Sequence, residues 1–268
     1  MTAAIHAKKP METNMKPIQT IWTEALEVHT HETDAFLRCK PAAYLRMMEE
    51  VTTHHSRNLG VDYFTLQKIN LAWILARTKI KFYQFPSMIT PVQVQTWPKG
   101  WAQKIFGMRD FTIKTSDGQL LAQATTAWLL VNTQTHRFVK PEVLTTPLPD
   151  NDGLAAIDEP LEKLASNAEL QEKRVFQASY SCLDVMGHVN NTQYVDWIMD
   201  CFAVEDLRHK QMDWLQINYS NEVKPDQRVS VRMGSIPNQP HVYAVAGSNL
   251  DTGAVAFEAQ FVFKPFPA

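Results

Sequence analysis

From Pro41 the side chains Ala42, Tyr44, Leu45, Met48, Val51 and His55 recur at helical spacing. Pro41 suits a first helical turn and Gly60 suits an end, so a long helix is predicted between them. Its apolar face is broad enough to need covering by a sheet. Elsewhere the period changes to two. Trp22, Leu26 and Val28 alternate within Thr20–Val28, and Leu71–Lys81, Val92–Trp97, Lys104–Lys114 and Leu120–Val131 also read as strands. Asp117-Gly118 signals a hairpin, and Phe138 begins an ill-defined exit. Pro141–Gly153 has turn formers and no apolar period, which marks a boundary. Beyond it a short linker helix is expected over Glu159–Glu172, then a strand at Arg174–Ser179 and a second helix running to about Leu207. Trp214–Ser220, Arg228–Met233, His241–Ser248 and Ala254–Lys264 are further strands, the last two joined by the turn Asp251-Thr-Gly253.

The same order of elements occurs twice, and the letters follow it. Pro41-Ala-Ala-Tyr44 falls where Asn191-Thr-Gln-Tyr194 falls. Ile80-Lys-Phe-Tyr-Gln-Phe85 aligns without gaps to Ile217-Asn-Tyr-Ser-Asn-Glu222, and on to Val92 against Val229. A helix followed by consecutive antiparallel strands, duplicated, describes an α+β chain of two tandem hotdog domains. In such a chain each sheet wraps its own helix and the halves form an internal pseudo-dimer. The expected division is a disordered arm over 1–19, a first domain over 20–145, a linker over 146–172 and a second domain over 173–268.

Composition narrows the function. A chain of 268 residues, 45% apolar and 20% charged, has an ordinary globular make-up. Its net charge of −2 gives no general basic field, so nucleic acid is not an expected partner. Nine glycines, none in a phosphate-binding loop, argue against nucleotide cofactors, and no cofactor is expected. Cys39, Cys182 and Cys201 form neither a CxxC nor an even set, so a reducing compartment, the cytoplasm, fits best. No apolar run is long enough to span a membrane. His29-Thr-His31 is an HxH pair without an apparent third ligand, and a solvated loop is the simpler reading.

The chemistry concentrates in Leu183–Trp197. Asp184 and His188 lie four residues apart, across a turn carrying Gly187. Histidine exchanges protons near neutral pH, and Asp184 is placed to orient it. Amides of Gly187, Val189, Asn190 and Asn191, at a helix start, are candidate donors to an oxyanion. The plainer alternative makes Asp184 a turn residue, Asn190 or Asn191 a cap and His188 structural.

This stretch, Leu-Asp-Val-Met-Gly-His-Val-Asn-Asn-Thr-Gln-Tyr-Val-Asp-Trp, closely resembles the signature of the acyl-acyl carrier protein (acyl-ACP) thioesterases of plants and bacteria, Asp-x-Asn-x-His-Val-Asn-Asn-x-x-Tyr followed by Trp. The resemblance extends from about Trp22 onward through Asn70-Leu-Ala-Trp73 with Arg77, Trp97, Ala127-Trp128 and Val131-Asn132. It implies that Asp184 and His188 are catalytic, and that Glu222, ending Ile217-Asn-Tyr-Ser-Asn-Glu222, is the catalytic glutamate. Val223 stands where many members carry a cysteine. Met186 stands where the family has asparagine, and a thioether cannot donate a hydrogen bond.

The resemblance therefore implies hydrolysis of fatty acyl-ACP to free fatty acid and holo-ACP, ending fatty acid synthesis. An acyl-coenzyme A thioesterase and a non-catalytic acyl-binding protein are the alternatives. The apolar first half is expected to house the acyl chain, with Tyr44, Met47, Met48, Val51 and Trp73 lining it and Met186 near the reacting end. An acidic carrier would be met by Lys173-Arg174 or Arg208-His-Lys210. The internal pseudo-dimer is compatible with a monomer or a homodimer.

Overall fold

The long helix forms as α1, Pro41–Asn58. Lys40 is extended before the proline, as the proline ring demands. At the other end Gly60 takes φ 71°, and the Val61 N–H reaches back to the Ser56 carbonyl at 2.9 Å, closing the last turn. The computed structural model containing it describes residues 17–266, so the expected arm falls outside as far as Lys16.

The first half runs β1 (Trp22–Glu27), α1, a short α2 (Tyr63–Gln67), then β2 (Leu71–Phe82), β3 (Pro91–Ala102), β4 (Phe106–Thr115), β5 (Leu120–Asn132) and a stub, β6 (Arg137–Phe138). The second half runs β7 (Gln171–Gln177), α3 (Gln193–Met199), α4 (Val204–Leu207), β8 (Lys210–Tyr219), β9 (Arg228–Ile236), β10 (Gln239–Asn249) and β11 (Val255–Pro265). All pairings among these strands are antiparallel, in the order β1-β3-β4-β5-β2-β8-β11-β10-β9-β7, with β6 beside β5. Read from its two ends, the order is the same pattern twice. The halves meet at β2 and β8, from Arg77 opposite Asn218 to Lys81 opposite Trp214. This is the tandem hotdog arrangement.

One buried cluster fills the space between helices and sheet. It joins Tyr44, Met47, Met48 and Val51 of α1, Tyr194, Trp197 and Ile198 of α3, and inward residues such as Ile80, Phe111, Leu215, Val231 and Phe257. Each large apolar side chain so buried is worth about 1.5–3 kcal/mol, which is how one long helix and one short one hold so large a sheet in shape.

Two expectations need correction. No helix forms over Glu159–Glu172; the chain is irregular to Leu170 and then enters β7. Its carbonyls are spent on the sheet instead. Leu161, Glu162 and Ala165 accept from Arg77 Nη1, Gln216 Nε2 and Gln260 Nε2 at 2.8, 2.7 and 3.0 Å. A helix would have turned those acceptors inward. The linker also lies so close to β9 that a Cβ on Gly234 would sit 2.1 Å from the Glu169 carbonyl oxygen. The second helix does not reach Leu207 unbroken. It stops at Met199, and Phe202 turns into an aromatic group with Tyr243, Phe261 and Phe263 before α4 begins.

Candidate active site

The segment Leu183–Asn190 is a tight loop between β7 and α3, held mainly by its own backbone. Asp184 Oδ1 accepts from the Met186 and His188 N–H groups at 2.8 and 3.3 Å. The Asp184 N–H donates to the His188 carbonyl at 2.9 Å, and the Gly187 N–H returns to the Asp184 carbonyl at 3.0 Å. Gly187 takes φ 77°, where a side chain would be strained. Asp184 therefore shapes the turn that carries His188, and its contacts go to the backbone rather than to the ring. That sharpens the expected orienting role: the aspartate fixes where the histidine leaves the chain.

Glu222 arrives from the segment after β8. The Val189 N–H donates to the Val223 carbonyl at 2.9 Å, so the residues following His188 and Glu222 are tied together. Asn221 Nδ2 donates to the Val255 carbonyl at 2.7 Å and steadies the other side. Between these anchors His188 Nε2 lies 3.1 Å from Glu222 Oε2. The His188 side chain is 25% exposed and that of Glu222 57%, so water has access to the carboxylate while the ring is mostly covered. Tyr194 is buried beneath them, and burial, with Asp184 and Glu222 nearby, pushes its phenol well above the usual range. It is neutral at any physiological pH.

The oxyanion expectation needs correction for three of its four members. The Gly187 amide is bonded to Asp184, the Val189 amide to Val223, and the Asn190 amide to the Cys182 carbonyl at 2.8 Å. A donor already satisfied inside the fold has little left for a substrate oxygen. Asn190 spends its side chain as well: Oδ1 accepts from the Thr192 N–H and hydroxyl at 2.8 and 2.6 Å, and Nδ2 donates to both oxygens of Glu49 at 3.0 and 3.1 Å. Among the described residues Asn191 alone of the four has an amide and a side chain with no hydrogen-bond partner.

The proposed acyl-chain residues divide. Tyr44, Met47, Met48 and Val51 are buried in the central cluster. Met186 is 45% exposed beside His188. Trp73 is a correction: it packs with Trp101 against a separate cluster of Leu59, Val61, Leu66, Leu71, Leu130 and Leu144. It lies opposite Leu130 at the start of β2, beyond the bulge between Leu75 and Arg77, so it is separated from Ile80 and Phe82 along the strand. Glu49 gave no signal of its own in the sequence, because its link to Asn190 joins positions 141 residues apart. At His29 and His31 the fold does supply a nearby third group, Glu32, whose Oε2 accepts from the His29 N–H and lies 3.0 Å from its ring nitrogen, capping the short turn.

The first half contains the same loop with different chemistry. Asp34 Oδ1 accepts from the Phe36 and Arg38 N–H groups at 2.8 and 3.0 Å, and the Cys39 N–H donates to the Pro86 carbonyl at 2.7 Å. Leu37 takes φ 62° where Gly187 takes 77°. Arg38 thus stands where His188 stands, and Phe85 where Glu222 stands. The Arg38 guanidinium bonds Asp34 and the carbonyls of Leu207, Arg208 and Lys210.

Two family models cover this chain: the acyl-ACP thioesterase N-terminal domain over residues 19–145 and the acyl-ACP thioesterase C-terminal domain over 165–263. The chain belongs to the acyl-ACP thioesterase family. Among curated relatives, an oleoyl-acyl carrier protein thioesterase of Arabidopsis thaliana is 28% identical over 228 residues, covering 77% of this chain and 60% of its own length. A palmitoyl-acyl carrier protein thioesterase of Gossypium hirsutum is 24% identical over 220 residues, covering 77% of this chain and 53% of its own length. The chain therefore spans only about half to three fifths of these relatives. Solved acyl-ACP thioesterases share the fold. That from Bacteroides thetaiotaomicron has TM-score 0.77 at 22% identity, covering 91% of this chain and 98% of its own. The 12:0-ACP thioesterase from Umbellularia californica has TM-score 0.77 at 21% identity, covering 92% and 98%. Within the described residues no helix is long and apolar enough to cross a membrane.

Proposed function

We propose that this chain hydrolyses fatty acyl-ACP to free fatty acid and holo-ACP, with the chemistry in the second half over 173–268, the acyl chain in the first over 20–145, and 146–172 joining them. The observation that carries the reading is the 3.1 Å contact between His188 and Glu222 at the end of a rigid loop open to water. Glu222 and His188 act as general base and acid. Water adds to the thioester carbonyl while the pair takes its proton, and the imidazolium returns that proton to the departing thiolate. Direct attack by Glu222, giving a transient anhydride that water then opens, uses the same two groups. Asp184 holds the turn, and Asn191 offers the uncommitted donors for the oxyanion. Tyr44, Met47, Met48 and Val51 are assigned to the acyl chain because they form an apolar surface of α1 in the cluster shared with α3. Three unpaired cysteines support a reducing compartment, the cytoplasm.

For the carrier, Lys173 and Arg174 are exposed on the edge strand β7. Arg208 is already paired with Glu205 at 2.7 Å, which makes it the weaker candidate. The test is hydrolysis of one acyl chain presented on ACP and on coenzyme A at equal concentration. Faster release from ACP supports the reading. Equal or faster release from coenzyme A assigns the carrier wrongly, and tight binding without turnover assigns the class wrongly.

A further inference from the structure

The two halves repeat the same backbone hydrogen bonds around their loops, and one cross-half contact breaks the pattern. Asp34, Arg38, Lys40, Tyr44, Arg46 and Glu49 correspond to Asp184, His188, Asn190, Tyr194, Asp196 and Met199. Arg46 and Asp196 occupy corresponding positions and pair with each other across the helices, so the correspondence continues into α1 and α3. Glu49 reaches from α1 of the first half to Asn190 of the second. The reciprocal contact, between Met199 and Lys40, has no such chemistry, and Lys40 Nζ instead donates to the His31 carbonyl at 3.0 Å. The carboxylate exists only at the end of the molecule where His188 and Glu222 stand.

Resting on the site reading above, we infer that Glu49 is a positioning residue for the reaction, acting through Asn190. Asn190 lies two residues after His188, and all its polar groups are used: its N–H on Cys182, its carbonyl on the Gln193 N–H, its Oδ1 on Thr192 and its Nδ2 on Glu49. Glu49 alone among these partners comes from the other half. Without it the amide plane is free to rotate, and the start of α3, with the Asn191 donors between Asn190 and Thr192, loses its fixed orientation. A donor displaced by a fraction of an ångström stabilises an oxyanion poorly, while substrate still binds. Solvent reaches Glu49, yet loss of water around it raises its carboxyl above the ordinary range; the Asn190 hydrogen bond opposes this, and Asp184 and Glu50 add to it. The two contacts from Asn190 Nδ2 place the carboxylate against the end of the loop that carries His188.

The test compares steady-state acyl-ACP hydrolysis by wild type, Glu49→Ala, Glu49→Gln and His188→Ala. Glutamine keeps an oxygen acceptor for Asn190 and removes the charge. Glu49→Ala should lower kcat about 30-fold with KM within about twofold, because the interaction matters in the transition state and not in ground-state binding. Glu49→Gln should return kcat to within about threefold of wild type, as one retained acceptor suffices to hold the amide. Thermal unfolding of all variants should coincide, since an exposed hydrogen bond contributes little to stability. Wild-type kcat in Glu49→Ala, an effect on KM alone, or Glu49→Gln as slow as Glu49→Ala would each overturn the inference, provided His188→Ala is inactive. An active His188→Ala would instead remove the site reading, and the inference with it.

Discussion

Arg38 offers the sharpest test of how the halves are joined. It occupies the position of His188 in the first half, but its side chain is 9% exposed and all its contacts are structural. The guanidinium bonds Asp34 Oδ2 through Nε and Nη2 at 3.0 and 2.8 Å, and donates to Lys210 and Leu207 carbonyls at 3.0 Å each and to Arg208 at 3.4 Å. It also lies 4.7 Å over Phe36 and 5.0 Å over Phe266. Arg38→Ala removes the partner of Asp34 Oδ2 and the donors to three carbonyls of the other half. Removing one partner of a buried charged pair costs about 3–5 kcal/mol. Some water will reach the gap, so about 3 kcal/mol is the expected loss, which at roughly 3 °C per kcal/mol lowers Tm by about 10 °C. Arg38→Lys should recover less than half of it, because an ammonium cannot serve Asp34 and the carbonyls from one planar fork. Below the transition kcat should stay within about threefold of wild type, since Arg38 touches neither His188 nor Glu222. The assay is thermal unfolding followed by hydrolysis at 25 °C. A Tm within about 2 °C of wild type for Arg38→Ala, or full recovery by lysine, would show that the guanidinium does not hold the two halves together.

Two other outcomes follow from single residues. His55 is fully buried, accepts from Arg109 Nη1 at 2.9 Å and faces the Gln19 carbonyl at 2.9 Å, and burial followed by the Arg109 charge lowers its pKa from 6.5 to about 4. Between pH 6.5 and 4 the unfolded chain binds a proton that the folded chain refuses, so stability is full above 6.5 and falls as pH drops towards 4, by about 3 kcal/mol at most; urea unfolding of wild type and His55→Gln should show that drop only in the wild type. Met186 is half-exposed, and its N–H is held by Asp184, so Met186→Asn should leave Tm unchanged and add an amide donor beside His188, raising kcat about tenfold. An unchanged or lower kcat would mean that Asn191 already fills that role.

Local signals carried the architecture far. Pro41 and Gly60 bracket α1 because their backbone preferences hold whatever surrounds them. The paired turns and the Ile80/Ile217 alignment revealed the duplication, since each half must bury the same helix against the same strands. What escaped detection depends on contacts distant in the chain. The linker over 159–170 has helix-forming composition, but Arg77, Gln216 and Gln260 claim its carbonyls. Phe202 ends α3 early because an aromatic cluster on two strands, β10 and β11, receives it. At the site, Asp184, His188 and Glu222 were legible as letters and by resemblance. The committed state of the Val189 and Asn190 amides was not, because Val223 and Cys182 become their acceptors, and Glu49 the partner of the Asn190 side chain, only in the fold. Trp73 was misplaced for a related reason: a tryptophan on a strand does not name the cluster above it, and here Leu59, Leu66 and Leu130 meet it only in the fold.

The proposed function requires that His188 and Glu222 form one catalytic unit acting on acyl-ACP. The measurement that tests it most directly is the single-turnover rate of acyl-ACP hydrolysis by His188→Ala, Glu222→Gln and the double variant. Each single change should lower the rate at least about 1000-fold, and the double should be no slower than the worse single, because groups that act as a unit are lost together. A near wild-type rate in either single variant would contradict the claim.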